Sequence, residues 1–177
     1  MSRGDQKIGE APYRLWRVLV EEQHRVRLPL GEVRTVVPWL SLEPGTVDCV
    51  GTLGPVGGIQ IAPATTHERL SRGFIEALGD STARSSESSQ RWMDLARYLA
   101  TTWRIPISVE SSRISFTLPE PIRRAQLLPG AGGTVTVFGF GEILEVWEAV
   151  KWHDHVRSIA KTMPSSVSEG LEDLRDR

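Results

Sequence analysis

The sequence predicts an α+β, strand-rich fold built from one unit written twice. Three observations carry that prediction. Residues 134–152, TVTVFGFGEILEVWEAVKW, read as two strands, a turn marked by Gly139 and Gly141, and a helix start. Residues 45–61, GTVDCVGTLGPVGGIQI, repeat the same order, with GTVDCVG matching GTVTVFG 88 residues on, Gly45 to Gly133. Upstream, Leu28-Pro29 followed by Arg34 recurs as Leu118-Pro119 followed by Arg124, 90 residues on. Such self-similarity at a fixed spacing outweighs any single motif in setting the fold.

Each element has its own pattern. Residues 1–12 are polar and form an N-terminal tail. The first unit covers 13–80. Arg14–Val20 is a strand, Glu21–His24 a polar turn, and Arg25–Leu28 the returning strand, stopped by Pro29, which has no ladder N–H. Leu30–Leu40 holds a short helix or turn, broken at Pro38. The hairpin Thr46–Ile61 is punctuated by glycines. Thr65–Leu78 places Leu70, Phe74, Ile75 and Leu78 on one side of a helix.

Residues 81–104 form the hinge and connecting helix. The hinge is DSTARSSESS, 80–89. Trp92, Leu95, Ala96, Leu99 and Trp103 then follow at helical spacing. That aromatic stripe is core packing rather than a cofactor box. The second unit covers 105–161: Ile114, Phe116 and Leu118 alternate with polar residues, the Thr134 hairpin follows with the alternation of a half-buried pair, one face in the core and one wet, and a helix runs from Val150 to Lys161. Residues 162–177 are a polar tail. The expected core is Val26, Leu28, Val47, Ile61, Phe116, Leu118, Val135, Val137, Leu144 and Val146.

Composition narrows the function classes. A net charge of −1 argues against a strongly cationic nucleic-acid coat but allows local basic patches. The one cysteine, Cys49, excludes a disulfide within the chain, and a reducing cytosol fits. Apolar runs are too short for a membrane span of about 18 residues, and the first ten residues have no apolar signal core. His153 and His155 point to different sides of a helix and lack a third ligand, so a solvated helix face is expected and no metal site. GPVGG and GAGG lack the Lys-Ser/Thr of a phosphate loop, and the serines at 85–89 form no nucleophile elbow. No catalytic residues and no cofactor are expected.

Three stretches together resemble the MraZ family of bacterial transcriptional regulators, which carries tandem SpoVT/AbrB-type swapped-hairpin domains. LVEEQHRVRLP (19–29) resembles that family's acid-x-x-x-Arg hairpin followed by an apolar residue and proline. RWMDLARYLATTWRIPISVE (91–110) lies where the family has its connecting helix. GFGEILEVWEAVKW (139–152) resembles its Gly-turn strand ending in an apolar-Trp pair. The resemblance implies interleaved hairpins forming one small swapped-hairpin, double-psi-like barrel. It further implies a ring-forming homo-oligomer, binding to promoter DNA, and a cytoplasmic, nucleoid-associated location. The chain departs from the pattern in three places. Glu21 stands for the usual Asp, His24 for the Gly before the arginine, and an ungapped alignment of the second unit sets Ser111 and Ser115 at the acid and arginine positions. Glu110 and Arg113 stand nearby, one residue too close together.

The implied DNA-contacting residues are Glu21, Arg25, Arg14, Arg27 and Arg113. A carboxylate across a hairpin turn can orient a guanidinium, which can then grip a phosphate or a guanine edge with two bonds. The plainer alternative is an exposed ion pair of little energetic weight. Alternation gives Arg14 and Arg27 polar neighbours, which suits phosphate contacts. A rival reading of the whole chain is a non-catalytic assembly protein that keeps this fold without binding DNA.

Overall fold

The computed structural model describes residues 13–40, 43–54, 57–79, 101–124 and 127–162. Within them the protein is α+β and strand-rich. The elements are β1 (Tyr13–Leu19), β2 (Arg25–Pro29), α1 (Leu30–Val36), β3 (Gly45–Val47), β4 (Cys49–Leu53), β5 (Ile59–Pro63), α2 (Ala64–Gly79), β6 (Thr102–Arg104), β7 (Ile107–Val109), β8 (Arg113–Thr117), α3 (Glu120–Arg124), β9 (Thr134–Phe140), β10 (Ile143–Glu148) and α4 (Ala149–Thr162). The strands form two antiparallel sheets. The larger has the order β1-β9-β10-β5-β4-β6, and the smaller β2-β8-β7-β3.

The two sheets share strands that bend from one into the other. β3 and β4 are one extended run interrupted at Asp48, and β6 and β7 are one run interrupted at Ile105-Pro106. Pro106 has no N–H to donate, so the ladder breaks there. Across the break, Arg104 donates Nε and Nη2 to the two oxygens of Asp48, at 2.7 and 2.9 Å. The Asp48 carbonyl also accepts from the N–H of Ala64, tying the corner to the start of α2. This is how strands make corners between crossed sheets. The expected closed barrel does not form. β1 gives its ladder to β9 and meets β2 through the turn bond from Glu21 N–H to Arg25 C=O, so the hairpin splays into two sheets.

Bonding in the first half is matched in the second. Val20 exchanges backbone bonds around Gly132-Gly133, and Val109 pairs with Gly45. Leu30 N–H donates to Ser112, and Leu118 N–H to His24. A Cβ on Gly51 would meet Ile105, and one on Gly139 would meet Trp16. The ladders read alike outward from Ile61 opposite Leu144 and from Arg27 opposite Ser115. Gly45–Gly51 and Gly133–Gly139 thus hold matching places, as the 88-residue echo predicts. The Leu-Pro echo does not: Leu118 matches Leu30, not Leu28, because Pro119 follows Arg113 by six residues where Pro29 follows Arg25 by four.

The main core lies between the sheets. Of the expected core residues all are buried except Val47, which is partly exposed. Three expectations change. Trp103, assigned by its spacing to the connecting helix, lies in β6 opposite Gly51; the stretch Trp92–Leu99 lies outside the described residues. The outer face of β9 and β10 is not wet: α4 covers it, so Thr136 is 1% and Trp147 3% exposed. Trp147, Trp152 and Val156 make a second apolar cluster there, with Leu15 and Phe138 against it. His155 is not on a solvated helix face either. Its ring stacks on Trp147, centroids 4.8 Å apart.

A candidate nucleic-acid interface on the outer face of β2 and β8

Alternation decides which side chains β2 and β8 present. Val26, Leu28, Ile114 and Phe116 point into the core, so Arg25, Arg27, Arg113, Ser115 and Thr117 lie on the other face, where Ser115 is itself covered. Antiparallel pairing sets Arg25 opposite Thr117, Arg27 opposite Ser115 and Pro29 opposite Arg113. Arg25 and Arg113 therefore stand at opposite ends of the β2–β8 ribbon, which β7 and β3 extend into a four-stranded sheet. Their backbones lie four residue steps apart, about 13 Å along its length.

The turns at the two ends differ. Glu21–Arg25 closes the first hairpin with four residues before the arginine, and Glu110–Arg113 closes the second with three. In both, the glutamate N–H donates to the arginine carbonyl at 2.8 Å. Glu110 and Arg113 are therefore the counterparts of Glu21 and Arg25, and the one-residue shortfall is a shorter turn. Ser111 and Ser115 do not hold the acid and arginine places. Within the first turn Gln23 and His24 have φ of 57° and 59°. This left-handed region favours glycine, and histidine tolerates it better than branched residues do. His24 thus holds a backbone conformation that glycine adopts most readily. Its Nδ1 is buried without a hydrogen-bond partner, on the side facing Gly130.

The ion pairs are not those the sequence suggests. Glu21 pairs with Arg27, Nη1 at 3.0 Å, and not with Arg25. Arg27 is half-buried and its Nε is buried without a partner, so it serves the ribbon more than a ligand. Arg25 makes one long bond, Nη2 to Gln23 at 3.4 Å, and no carboxylate pair among the described residues. Arg113 donates its Nε to Glu110. That bond, together with the charges of Arg113, Arg27 and Arg25, holds the Glu110 carboxyl below the usual glutamate range. The same bond raises Arg113, to which the charge of Glu21 also contributes. The two turns therefore lie within electrostatic reach of one another.

Arg14 is not in this group. It lies at the far end of β1 and pairs with Glu32 of α1 at 3.2 Å. Glu32 also accepts from Trp16 Nε1 at 3.0 Å, so Arg14 helps to fasten α1 to the sheet. Leu19, overlooked in the sequence, is 58% exposed and counts among the exposed large apolar residues. It occupies the place in β1 that the polar Ser108 holds in β7, a contrast that emerges only once the two halves are aligned.

Arg25, Arg27 and Arg113 stand beside Glu21, Glu110 and the exposed Glu22, so the formal charges of the face cancel. Its cationic character is local to Arg25. Among the described residues no group of three His, Cys, Asp or Glu side chains could hold a metal, and no helix is long and apolar enough to cross a membrane. No protein-family model matches this chain, and no curated protein matches its sequence.

Proposed function

We propose that the chain is a non-catalytic DNA-binding regulator of the MraZ type. On this reading its halves are two swapped-hairpin units of the SpoVT/AbrB kind, and the outer face of β2 and β8 meets the duplex. The observation that carries the reading is Arg25, an arginine on the outward face of the edge strand β2 with no carboxylate partner among the described residues. Arginines on such a face can reach the phosphates and base edges of a duplex. The matched bonding of the halves supports the swapped-hairpin assignment. One such face can neutralise few phosphates, so tight binding requires several copies acting together. Open outer strands β1 and β6, with Leu19 and Phe140 exposed, suit self-association into a homo-oligomer.

Fluorescence anisotropy with a labelled random 30-base-pair duplex tests this. The wild type binds at low salt, and affinity falls with added salt because phosphate contacts release counterions. Arg25→Ala weakens binding with fold and assembly unchanged. Absence of wild-type binding at low salt refutes the reading. That result favours the assembly-protein alternative, which draws on the pairing of Arg27 with Glu21 and Arg113 with Glu110.

A further inference from the structure

The two ends of the ribbon carry arginines in different states, and the difference assigns them different work. Resting on the DNA-binding reading above, we propose that Arg113 reads a base edge, that Arg25 anchors a phosphate, and that Glu110 sets the selectivity of Arg113.

Arg113 is exposed over about half of its side chain, and so is Glu110. The carboxylate takes the Nε–H, and no other hydrogen bond to this guanidinium is made among the described residues. The Nη1 and Nη2 end is left as a planar pair of parallel donors whose direction is fixed by the bond behind it. Two parallel donors match the O6 and N7 acceptors of guanine. The adjacent carboxylate also offsets the charge, which lowers the attraction to any phosphate and leaves hydrogen-bond geometry to decide. Arg25 has the opposite character. Its one bond is long and goes to a neutral amide oxygen, so no carboxylate fixes its direction and its charge meets that of Glu110 only through space. A phosphate, which accepts from many directions and is held mainly by charge, is the ligand that suits it. The two arginines are about 13 Å apart along the strand, roughly four base steps of B-DNA at 3.4 Å each. One face can thus hold the backbone with one end while the other enters the groove.

The experiment uses the full chain and a random 20-base-pair duplex library. Rounds of binding enrich a preferred duplex, and anisotropy then compares that duplex with a scrambled one for the wild type, R25A, R113A, R113K and E110Q. Circular dichroism checks that each variant is folded. The wild type enriches a sequence with an invariant guanine and prefers it by about 5- to 150-fold, the span of one good bidentate contact. R113A and R113K lose that preference, and R113K keeps its affinity for the scrambled duplex, since lysine has the charge without the fork. E110Q binds the scrambled duplex more tightly and discriminates less. R25A weakens both duplexes alike and lowers the salt slope by about one. Retained preference in R113K, or loss of preference in R25A alone, overturns the assignment. Wild-type binding without any enriched sequence overturns it too while leaving DNA binding in place. Failure of the wild type to bind any duplex removes the underlying reading as well.

Discussion

Gly58→Ala is a one-carbon substitution with a large expected effect. Gly58 precedes β5, is buried, and closes its turn by accepting from Gly54 N–H at 2.6 Å. Its φ lies outside the left-handed region, so alanine meets no backbone penalty there. The obstacle is Trp147. A Cβ on residue 58 would lie 2.4 Å from Cε2 and 2.7 Å from both Cζ2 and Nε1 of the indole. Carbon atoms pack at about 3.5 Å or more, so the ring must retreat by roughly 1 Å. It has nowhere to go without loss. Trp147 is 3% exposed, donates Nε1 to Glu145 at 3.1 Å, stacks on His155 and meets Trp152 edge-on at 5.6 Å. Overpacking costs about 1–3 kcal/mol. A disturbed stack adds about 1 kcal/mol, and a weakened hydrogen bond adds about another. The stiffer unfolded chain returns about 0.4–1 kcal/mol. The net loss is about 3 kcal/mol, a fall in Tm of roughly 6–12 °C for a chain this size. Urea titration and calorimetry measure it. The same substitution in a Trp147→Leu background should cost less than about 1 kcal/mol, because the opposing ring is gone. A loss below about 1 kcal/mol in the wild type, or an equal loss in both backgrounds, refutes the steric argument.

Other expectations are simpler to test. Burial, helped by the charge of Asp48, pushes the Cys49 thiol up to about 12; a thiol reagent at pH 8 should label the protein only on unfolding, and rapid labelling of native protein would contradict this. Glu110 is held below its ordinary range in the folded chain, so its pairing with Arg113 contributes fully above the unfolded value and is lost as pH falls through the lower folded one. Carboxyl-carbon NMR should accordingly show Glu110 titrating at lower pH than an ordinary glutamate and returning upward in R113A; an unmoved midpoint would exclude the pair. At His24, φ 59°, glycine should be tolerated with little change, whereas valine should destabilise by about 2 kcal/mol in urea titration. Equal stability of the two variants would show that the turn relaxes.

Much of this architecture is legible in the residues. Alternation marks Val26, Leu28, Phe116, Val135, Val137, Leu144 and Val146 as inward, and all are buried. The Gly-Thr-Val echo gives the correct offset because both copies face the same steric demand: Gly51 and Gly139 each lie against a large side chain of the opposite half. What the sequence conceals are the relations between distant segments. Alternation gives Trp147 and Thr136 a solvent face because it cannot see α4 folding back over them. Periodicity extends the connecting helix to Trp103 because three residues of strand are too few to break a helical pattern. For the interface, alternation places Arg25, Arg27 and Arg113 on one face. Which carboxylate holds which arginine follows instead from side-chain reach: Glu21 lies closer to Arg27 than to Arg25, a choice no spacing rule makes.

The bending of strands between sheets has a consequence for how the protein is made. β1 is bonded to β9, β2 to β8, β3 to β7, β4 to β6 and β5 to β10, each partner coming from the other half of the chain. When β5 has left the ribosome, most ladders of the first half still lack their partners. The 85 residues from Pro63 to Glu148 follow at about 5–20 residues per second. For roughly 4–17 s the nascent first half must carry Val26, Leu28, Ile59 and Ile61 without the strands that cover them. Translation speed through the second half therefore sets how long those apolar strands stand open to chaperones or to pairing with neighbouring chains.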